Sequence, residues 1–296
     1  MKILMTGANG LIGSHLVGEL VADGHQIHRL VRREPRHPDE IPWDPYAGTF
    51  DPGRLYGVGA VIHLAGDSVK GRWTRRKRRT ILESRVRGTS LLARAIAGMS
   101  EPPRAFLCAS AAAYGDRGEE ILTDSCDLGR GFLAGVCREW EAATLPAARR
   151  GIRTVNLRFG LVLDSKEGAL ASMPTLFRLG LGGRLGNGKQ YWSWITLKDA
   201  LRAIGHVLAS KSLAGPVNVV APNPVTNRHF TKALGRALGR PTVCHVPAVV
   251  LRLALGQMAD GLLLASVRAV PKKLLESGFV FSYPEIAGAV EFVLHR

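Results

Sequence analysis

Regularly spaced glycines follow directly after the first apolar run of this 296-residue chain. The run covers residues 2–5 and predicts a buried strand. Apolar residues from Leu11 to Leu20 then recur at helical spacing, and Asp23-Gly24 ends the predicted helix. A strand that turns into a helix through glycines at i, i+3 and i+6 is typical of a parallel sheet covered by helices.

Each glycine of this turn has a physical role. Gly7 allows the tight turn, Gly10 lets the backbone approach a pyrophosphate, and Gly13 lets the helix pack close to the sheet. The helix N-terminus then faces the negative phosphates. The alternative is a glycine-rich turn without a ligand, but its position between a strand and a helix favours a dinucleotide site. We expect contacts to the dinucleotide from Thr6, Gly7, Asn9, Gly10, Leu11, Ile12 and Gly13.

The end of the second predicted strand, at residues 26–31, indicates which nicotinamide dinucleotide fits. An acidic residue at this point would bind the ribose 2′-hydroxyl of NAD(H). The chain instead has Arg32 and Arg33, whose guanidinium groups suit a 2′-phosphate. The alternative is that both arginines are merely exposed at a strand end. The sequence therefore favours NADP(H) as the cofactor.

Strands and helices alternate along the first half of the chain. Residues 34–59 are rich in Pro and Gly and are predicted to be loops. The alternation predicts a doubly wound, parallel α/β Rossmann sheet. Residues 1–163 would form mainly the nucleotide-binding domain, and residues 164–296 mainly a smaller C-terminal substrate cap, with some segments returning to the sheet. Further strands are predicted at 60–64, 105–109 and 154–157, and further helices at 81–99 and 133–149.

The net charge of +16 is partly concentrated in a basic run at residues 70–79. Such a run is typical either of a nucleic-acid surface or of the solvated start of an arginine-rich helix. The second interpretation is favoured because no nucleic-acid-binding module is visible, and a phosphorylated cofactor already uses positive potential. We therefore expect no nucleic-acid partner.

Cysteine and hydropathy patterns exclude several other classes of protein. The four cysteines lack metal-ligand spacing and form no disulfide framework, and the scattered histidines predict no metal site. The chain starts directly with a strand, without a signal peptide, and has no apolar run of about 18 residues. We therefore expect a cytoplasmic protein with no membrane contact.

Several further segments carry a resemblance that covers essentially the whole chain. They are Thr6–Gly13, His63–Gly66, Arg72–Thr74, Ser84-Arg85, Gly88-Thr89, Ser110–Gly115, Phe132–Glu141, Gly182–Trp194 and Pro247–Phe279. Together they resemble the extended short-chain dehydrogenase/reductase superfamily. The resemblance is closest to its atypical epimerase-family branch, whose members are sometimes labelled cell-division-inhibitor-like.

The resemblance implies several site residues. Ser110, four residues before Tyr114-Gly115, matches the active-site serine of the superfamily. The C-terminal third would form the substrate-binding cap. Further cofactor contacts are implied for Leu64, Ala65, Gly66, Arg85, Arg158, Phe159 and Gly160.

One departure from the superfamily pattern bears on the chemistry. Ordinary members carry a Tyr-x-x-x-Lys pair on the helix after the serine strand, where Tyr exchanges a proton and Lys lowers its pKa and holds the ribose. These positions are Cys137 and Glu141 here, as in the atypical branch. A carboxylate beside Cys137 is expected to raise the pKa of the thiol, which makes it a poor nucleophile. Its expected role is that of a small buried apolar group.

A proton would then move through Ser110, together with Tyr114 or Glu141. Glu141 is the stronger candidate for a general acid if burial keeps it protonated near neutral pH. The candidate catalytic residues are therefore Ser110, Tyr114 and Glu141, with Cys137 included for its position.

The remaining features leave two functions open. Trp192 and Trp194 would either line a substrate pocket or anchor the cap. The apolar segment 247–255 is predicted to be core, with an oligomer face, and hence a homodimer, as the alternative. The favoured function is an NADP(H)-dependent oxidoreductase or epimerase-like enzyme acting on an unidentified small molecule. The alternative is a regulatory protein that binds the dinucleotide without catalysis.

Overall fold

The computed structural model describes residues 1–168, 170, 173–178, 180 and 182–295. The strands within these residues are β1 (Lys2–Thr6), β2 (Gln26–Val31), β3 (Glu40–Asp44), β4 (Thr49–Phe50), β5 (Val58–His63), β6 (Ala105–Ala111), β7 (Ile121–Leu122), β8 (Arg153–Phe159), β9 (Leu161–Leu163), β10 (Gly183–Leu185), β11 (Tyr191–Trp192), β12 (Trp194–Thr196), β13 (Gly215–Val219), β14 (Val225–Thr226), β15 (Cys244–Val246) and β16 (Arg268–Ala269).

The α-helices among these residues are α1 (Leu11–Ala22), α2 (Arg75–Ala97), α3 (Phe132–Ala142), α4 (Leu145–Arg149), α5 (Met173–Arg178), α6 (Leu197–Ala209), α7 (Asn227–Ala237), α8 (Ala248–Leu255), α9 (Lys272–Glu276) and α10 (Ile286–Leu294). A short 3₁₀-helix spans Pro52–Leu55 and a π-helical segment spans Ala259–Leu264.

An eight-stranded sheet forms the centre of the molecule, in the order β13-β8-β6-β5-β1-β2-β3-β4. Neighbouring strands run parallel except for β3 and β4, which are antiparallel. The chain places β2 on one side of β1 and β5 on the other, so the order reverses beside β1. This topology confirms the predicted doubly wound Rossmann sheet, and its carboxyl edge at β1 and β5 is where such sheets bind ligands.

Both faces of the sheet are buried, as expected for parallel strands. Successive residues of β1 point to opposite faces: Ile3 and Met5 pack with α1 and α6, whereas Leu4 packs with α2. All three side chains are fully buried. The α1 side is sealed by Leu16 and Leu20, which lie one turn apart on the helix.

The prediction of loops at residues 34–59 is wrong in part. This segment contains β3, which extends the sheet beyond β2, and the short strand β4. Ile41 and Trp43 of β3 are buried, while Pro42 between them is exposed, so the strand follows an alternating pattern that the prolines obscured. Because β3 lies near the edge of the sheet, it tolerates Pro42, which has no backbone N–H.

Two predicted helices also differ from the structure. The helix predicted at 81–99 begins earlier, at Arg75, because the Thr74 hydroxyl accepts a hydrogen bond from the N–H of Lys77 and caps the helix. The helix predicted at 133–149 is two helices, and Pro146 lies in the first turn of the second, where its missing N–H is tolerated.

The C-terminal region contributes both to the sheet and to a separate core. Strand β13 pairs with β8 in the main sheet, whereas α7 and α10 pack around their own apolar cluster, to which Phe230 and Val290 belong. The prediction that 247–255 is core is wrong for most of α8, because only Leu251 is buried and Leu253 is 73% exposed. Among the described residues, no helix is long and apolar enough to span a bilayer.

Candidate cofactor and active site

The glycine turn fits tightly against its surroundings. Gly7 has a φ of +68°, and a Cβ atom at this position would lie 2.7 Å from the carbonyl carbon of Leu64, beyond the end of β5. A Cβ atom at Gly13 would lie 2.1 Å from the carbonyl oxygen of Gly7. The N–H of Gly10 donates to that same oxygen at 3.0 Å. Gly7 and Gly13 are therefore required for the turn itself, while at Gly10 the contact distance of a Cβ atom, 3.4 Å, is less severe.

The first turn of α1 offers backbone donors at this edge. The helix begins at Leu11, and its N-cap Gly10 provides no side-chain cap. The first N–H groups of a helix have no acceptor inside the helix, and the helix dipole gives this end a partial positive charge. With Asn9 and Gly10 exposed beside it, the turn has the cradle and the donors that a pyrophosphate needs.

Hydrogen bonds to Thr6 join the ends of β1 and β5. The Thr6 hydroxyl accepts from the N–H of Ala65 at 3.2 Å and lies 2.6 Å from Nδ1 of His63. The carbonyl oxygen of Thr6 accepts from the N–H of Leu64. Burial lowers the pKa of His63 to about 4, so the imidazole is neutral at neutral pH. Its ring packs edge-on against Trp43. These contacts hold the two strand ends beneath the glycine turn.

The two arginines after β2 have different surroundings. Arg33 binds Glu40 through two hydrogen bonds, of 2.6 and 2.9 Å. Hydrogen bonds from Arg33 and from the N–H of Arg36 lower the pKa of Glu40 to about 2. Arg32 is exposed and, within the described part of the chain, makes no hydrogen bond or ion pair. Of the two guanidinium groups expected at a 2′-phosphate, that of Arg32 is therefore free.

The carboxyl edge continues along the ends of β5, β6 and β8. The parallel register sets Ser110 opposite Arg158 and Ala111 opposite Phe159. Leu64, Ala65 and Phe159 are partly exposed there. Gly160 allows a close backbone contact, because a Cβ atom on it would lie 2.6 Å from the carbonyl oxygen of Ser193. Gly160 thus lets the end of β8 pack against the backbone of Ser193.

Ser110, Glu141 and Arg158 form one hydrogen-bonded network. The Ser110 hydroxyl donates to Oε1 of Glu141 at 2.7 Å. Arg158 donates to both carboxylate oxygens of Glu141, each at 2.8 Å. Burial lowers the pKa of Arg158, but the hydrogen bonds and charge of Glu141 outweigh it and raise that pKa. The side chains of Arg158 and Glu141 are 6% and 14% exposed, so the ion pair is mostly removed from water.

This pairing bears on the role expected for Glu141. A general acid must carry a proton, yet both oxygens of Glu141 accept from donors. A guanidinium forms such paired hydrogen bonds with both oxygens of a carboxylate. The geometry fits an acceptor that orients Ser110 better than a general acid, and the catalytic role of Glu141 stays a prediction.

Tyr114 lies behind this network and is fully buried. Its hydroxyl accepts from Arg158 at 3.0 Å and donates to Oδ1 of Asn218 at 2.7 Å. Burial raises the pKa of Tyr114. The Asn218 amide in turn donates to the carbonyl oxygens of Leu122 and Val270. Tyr114 thus links the sheet to the segments around it and holds Arg158 in place.

Cys137 is buried beside Ser110, with 2% of its surface exposed. Burial raises the pKa of the thiol, and the charge of Glu141 adds to the shift. The predicted direction is confirmed, although burial and not the carboxylate is its larger cause. The thiol stays protonated at neutral pH and does not supply a nucleophile.

The tryptophans of the predicted site serve the core. Trp192 and Trp194 belong to the C-terminal apolar cluster and donate to backbone oxygens of Leu263 and Asn223. Trp194 is fully buried. The structure therefore favours the anchoring alternative for both residues over a place in a substrate pocket. Trp73 is likewise buried, edge-on against Phe132.

Much of the basic run at 70–79 is engaged within the fold. Lys77 pairs with Asp67 at 2.7 Å, Arg79 pairs with Glu83 at 2.9 Å, and Arg78 lies over the ring of Phe132. These contacts account for part of the run without an external partner. Among the described residues, no group of three His, Cys, Asp or Glu side chains could hold a metal ion.

Sequence reasoning missed the residues that support Ser110. Asn218 lies far along the chain from Tyr114, and the resemblance implies only a cofactor contact for Arg158. The register of β6 against β8 could have brought Ser110 and Arg158 together, but no sequence signal points to Asn218. A surface cavity of about 410 Å³ between α1 and α6 lies away from this edge and involves none of these residues.

Two family models match parts of the chain. Residues 3–220 match the model of the NAD dependent epimerase/dehydratase family, and residues 246–293 match a domain of unknown function. An epimerase family protein of Mycobacterium tuberculosis, MT2273, is 40% identical over 99% of this chain and 98% of its own length.

Two solved structures are similar over nearly the whole chain. Human epimerase family protein SDR39U1, crystallised with NADPH, has a TM-score of 0.91 and 31% identity, covering 100% of this chain and 99% of that one. A protein of Corynebacterium glutamicum described as a nucleoside-diphosphate sugar epimerase has a TM-score of 0.83 and 35% identity, covering 99% of this chain and 58% of that one. The chain belongs to the NAD-dependent epimerase/dehydratase family, with the C-terminal domain DUF1731.

Proposed function

We propose that the chain binds NADP(H) and catalyses an oxidation, reduction or epimerisation of a small molecule. The observation that carries the proposal is a shared edge of the sheet. The glycine turn follows β1, the free guanidinium of Arg32 follows β2, and Ser110 lies near the end of β6. A dinucleotide laid along such an edge spans all three strand ends.

The cofactor assignment has two supports. The cradle at Gly7 and Gly13 leaves no room for side chains, which fits a turn wrapped around phosphate. Arg32 is exposed and free to bind a 2′-phosphate, whereas the end of β2 offers no carboxylate for a 2′-hydroxyl. The human relative at 31% identity was crystallised with NADPH, which agrees with this choice.

The network around Ser110 indicates how the chain would handle a proton. NADP(H), when bound, would supply or accept the hydride. The Ser110 hydroxyl donates to Glu141, so its oxygen would accept from a substrate hydroxyl that reaches this buried side chain. A proton could pass from that hydroxyl to Ser110 and from Ser110 to Glu141, while Arg158 holds the carboxylate in place. This polarity suits oxidation of an alcohol better than reduction of a carbonyl.

A second function is supported by one specific observation. The position of the usual proton-exchanging Tyr is occupied by a buried, protonated thiol, and Glu141 is fully engaged by Arg158. A dinucleotide-binding regulatory protein without catalysis would need neither group. The choice between the two functions therefore depends on turnover, not on cofactor binding.

Titration and a substrate screen test the proposal. NADPH should bind more tightly than NADH to the wild type, and Arg32→Ala should lower NADPH affinity about tenfold or more, the scale of one charged hydrogen bond. Arg36→Ala is the matched control, because only the backbone of Arg36 contacts Glu40. Equal affinities for NADPH and NADH would overturn the NADP(H) assignment. In the screen, alcohols would be incubated with NADP⁺ and carbonyl compounds with NADPH. If the absorbance of NADPH changed in neither set, the regulatory function would be favoured.

A further inference from the structure

Arg85 lies at the carboxyl edge of the sheet although it comes from the middle of α2. Its guanidinium carbon is 3.2 Å from the point that a Cβ atom on Gly66 would occupy, just beyond the end of β5. The same group lies 4.9 Å from the ring centre of Trp140 on α3. The Arg85 side chain thus reaches the space between β5 and α3. It lies beside the backbone of Gly66, for which a cofactor contact is expected.

One nitrogen of Arg85 anchors the side chain. Its NH1 donates to the carbonyl oxygens of Asp67 and Ile81, at 3.0 and 3.1 Å. Within the described residues, Nε and NH2 make no hydrogen bond. Arginine carries five N–H donors and remains charged, so a fixed cation with unused donors is left at this edge.

The charge of Arg85 is not matched by an ion pair. Burial lowers its pKa, and the nearby Cys137 and Asp67 act in the opposite direction. Asp67 is bound to Lys77, and Glu141 is bound to Arg158. The carboxylates near this part of the edge are therefore held by other cations, and Arg85 is available to an acceptor from outside the chain.

The position of Arg85 indicates which half of the cofactor would accept its hydrogen bonds. The sheet order reverses beside β1, and a dinucleotide crosses this point with its two halves on opposite sides. Arg32, after β2, lies on the adenosine side, so β5 and β6 lie on the nicotinamide side. Gly66 lies three residues beyond the end of β5, which puts the free donors of Arg85 on the nicotinamide side.

The resemblance implies a cofactor contact for Arg85 without assigning it to either half of the cofactor; we infer that this residue binds the nicotinamide mononucleotide half of NADP(H), by donating to its ribose hydroxyls or its phosphate. This inference rests on the proposed binding of NADP(H). It gives α2 a role in positioning the reactive half of the cofactor. In ordinary superfamily members, a lysine at the position of Glu141 supplies a positive charge from α3; here the free cation comes from α2.

Cofactor fragments test this assignment without any need for turnover. Calorimetric titrations would compare NADPH with 2′,5′-ADP, which carries the 2′-phosphate and lacks the nicotinamide half. Arg85→Met should lower NADPH affinity roughly tenfold to a hundredfold and leave 2′,5′-ADP affinity unchanged. Arg32→Ala should weaken both ligands. Arg87→Met is the matched control, since Arg87 lies on the same helix but pairs with Glu83 at the surface, and it should change neither affinity.

The outcomes separate failure of this inference from failure of the proposed function. Unchanged NADPH affinity in Arg85→Met, with a wild type that binds NADPH, would overturn the role of Arg85 alone. An equal loss for both ligands would also overturn it, because a general structural role would then explain the effect. If the wild type bound neither ligand, the proposed function and this inference would both be wrong. Arg85→Lys provides a second variant if Arg85→Met does not fold, and it should restore NADPH binding only in part.

Discussion

The two halves of the carboxyl edge are built in different ways. The half at β1, β2 and β5 is largely backbone: a glycine turn, a helix N-terminus and the main chain at 64–66. The half at β6, β8 and α3 is made of side chains. Ser110 and Glu141 are 31 positions apart in the chain, and Glu141 and Arg158 are 17 apart. The glycine turn of the first half depends on the absence of side chains, whereas the second half depends on their identity.

This difference indicates that cofactor binding and catalysis can change independently. Cys137 and Glu141 replace the Tyr and Lys of ordinary superfamily members within an intact Rossmann sheet. Neither residue belongs to the glycine turn, and the turn keeps all of its tight contacts. A protein with this edge can therefore bind the dinucleotide whether or not it performs chemistry.

The backbone half should respond most strongly to one added methyl group. In Gly13→Ala, the new Cβ atom would stand 2.1 Å from the carbonyl oxygen of Gly7, so the turn must move. NADPH affinity is expected to fall about a hundredfold or more, the scale of losing two charge-assisted hydrogen bonds to phosphate at about 1.5 kcal/mol each. Titration of NADPH by fluorescence measures the effect.

Gly18→Ala is the control within the same helix. Gly18 is exposed, and a Cβ atom there would have nothing within 4 Å. The substitution should leave NADPH affinity unchanged and stabilise the protein by about 0.5–1 kcal/mol. Wild-type affinity in Gly13→Ala would mean that this turn does not bind the phosphates.

The junction of β1 and β5 should make folding sensitive to pH. The pKa of His63 is about 4 in the folded chain against 6.5 ordinarily, because the ring is buried. The unfolded chain therefore binds more protons, and stability is lost as the pH falls from 6.5 through 4. The shift corresponds to about 3 kcal/mol. Urea unfolding across this range should show the loss, and His63→Asn should reduce its slope.

Other titrating groups do not account for the expected difference in pH dependence between the wild type and His63→Asn. Glu40 has its pKa lowered to about 2 by hydrogen bonds from Arg33 and from the N–H of Arg36, so its contribution is lost as the pH falls from 4.5 through 2, mostly below the range of His63 and equally in the wild type and in His63→Asn. Burial also lowers the pKa of His28, so this residue too destabilises the folded chain as the pH falls. It is present in both the wild type and His63→Asn, so it does not change the difference between them. His229→Asn, at an exposed position, is the control. An unchanged slope in His63→Asn would contradict the buried neutral ring.

The backbone half was also the half that the sequence could predict. Glycine spacing, the strand before it and the helix after it lie within a few residues of one another, so local patterns identify the turn and the sheet. The second half could be identified only as single residues, because Arg158, Tyr114 and Asn218 meet through strand pairing. The exposure of α8 was also missed, since an apolar segment predicts burial without stating what covers it.

The side-chain half should lose turnover without losing the cofactor. Glu141→Gln keeps one oxygen for Ser110 but removes the charge opposite the buried Arg158. Turnover of any substrate found should fall roughly a hundredfold, with NADPH affinity unchanged. Thermal unfolding should show a loss of stability of up to about 3 kcal/mol, because Arg158 is left without its counter-ion. Glu83→Gln, in a surface pair with Arg79, should change none of these quantities. Turnover at the wild-type level would remove Glu141 from the mechanism.

The smallest effect is expected at the position where ordinary members of the superfamily have their tyrosine. Cys137 is buried and its thiol is protonated, because burial raises its pKa. Cys137→Ala should therefore remove only packing, at a cost of about 1 kcal/mol in stability, and leave NADPH affinity and turnover intact. Cys108→Ala is a matched control: this thiol on β6 is also fully buried, and burial raises its pKa to about 12. If Cys137 acts only by packing, the two variants should have the same profile. Loss of turnover in Cys137→Ala alone would instead place the thiol in the reaction, and would make the side chain at 137, not the Ser110–Glu141 pair, the chemical centre of this half of the edge.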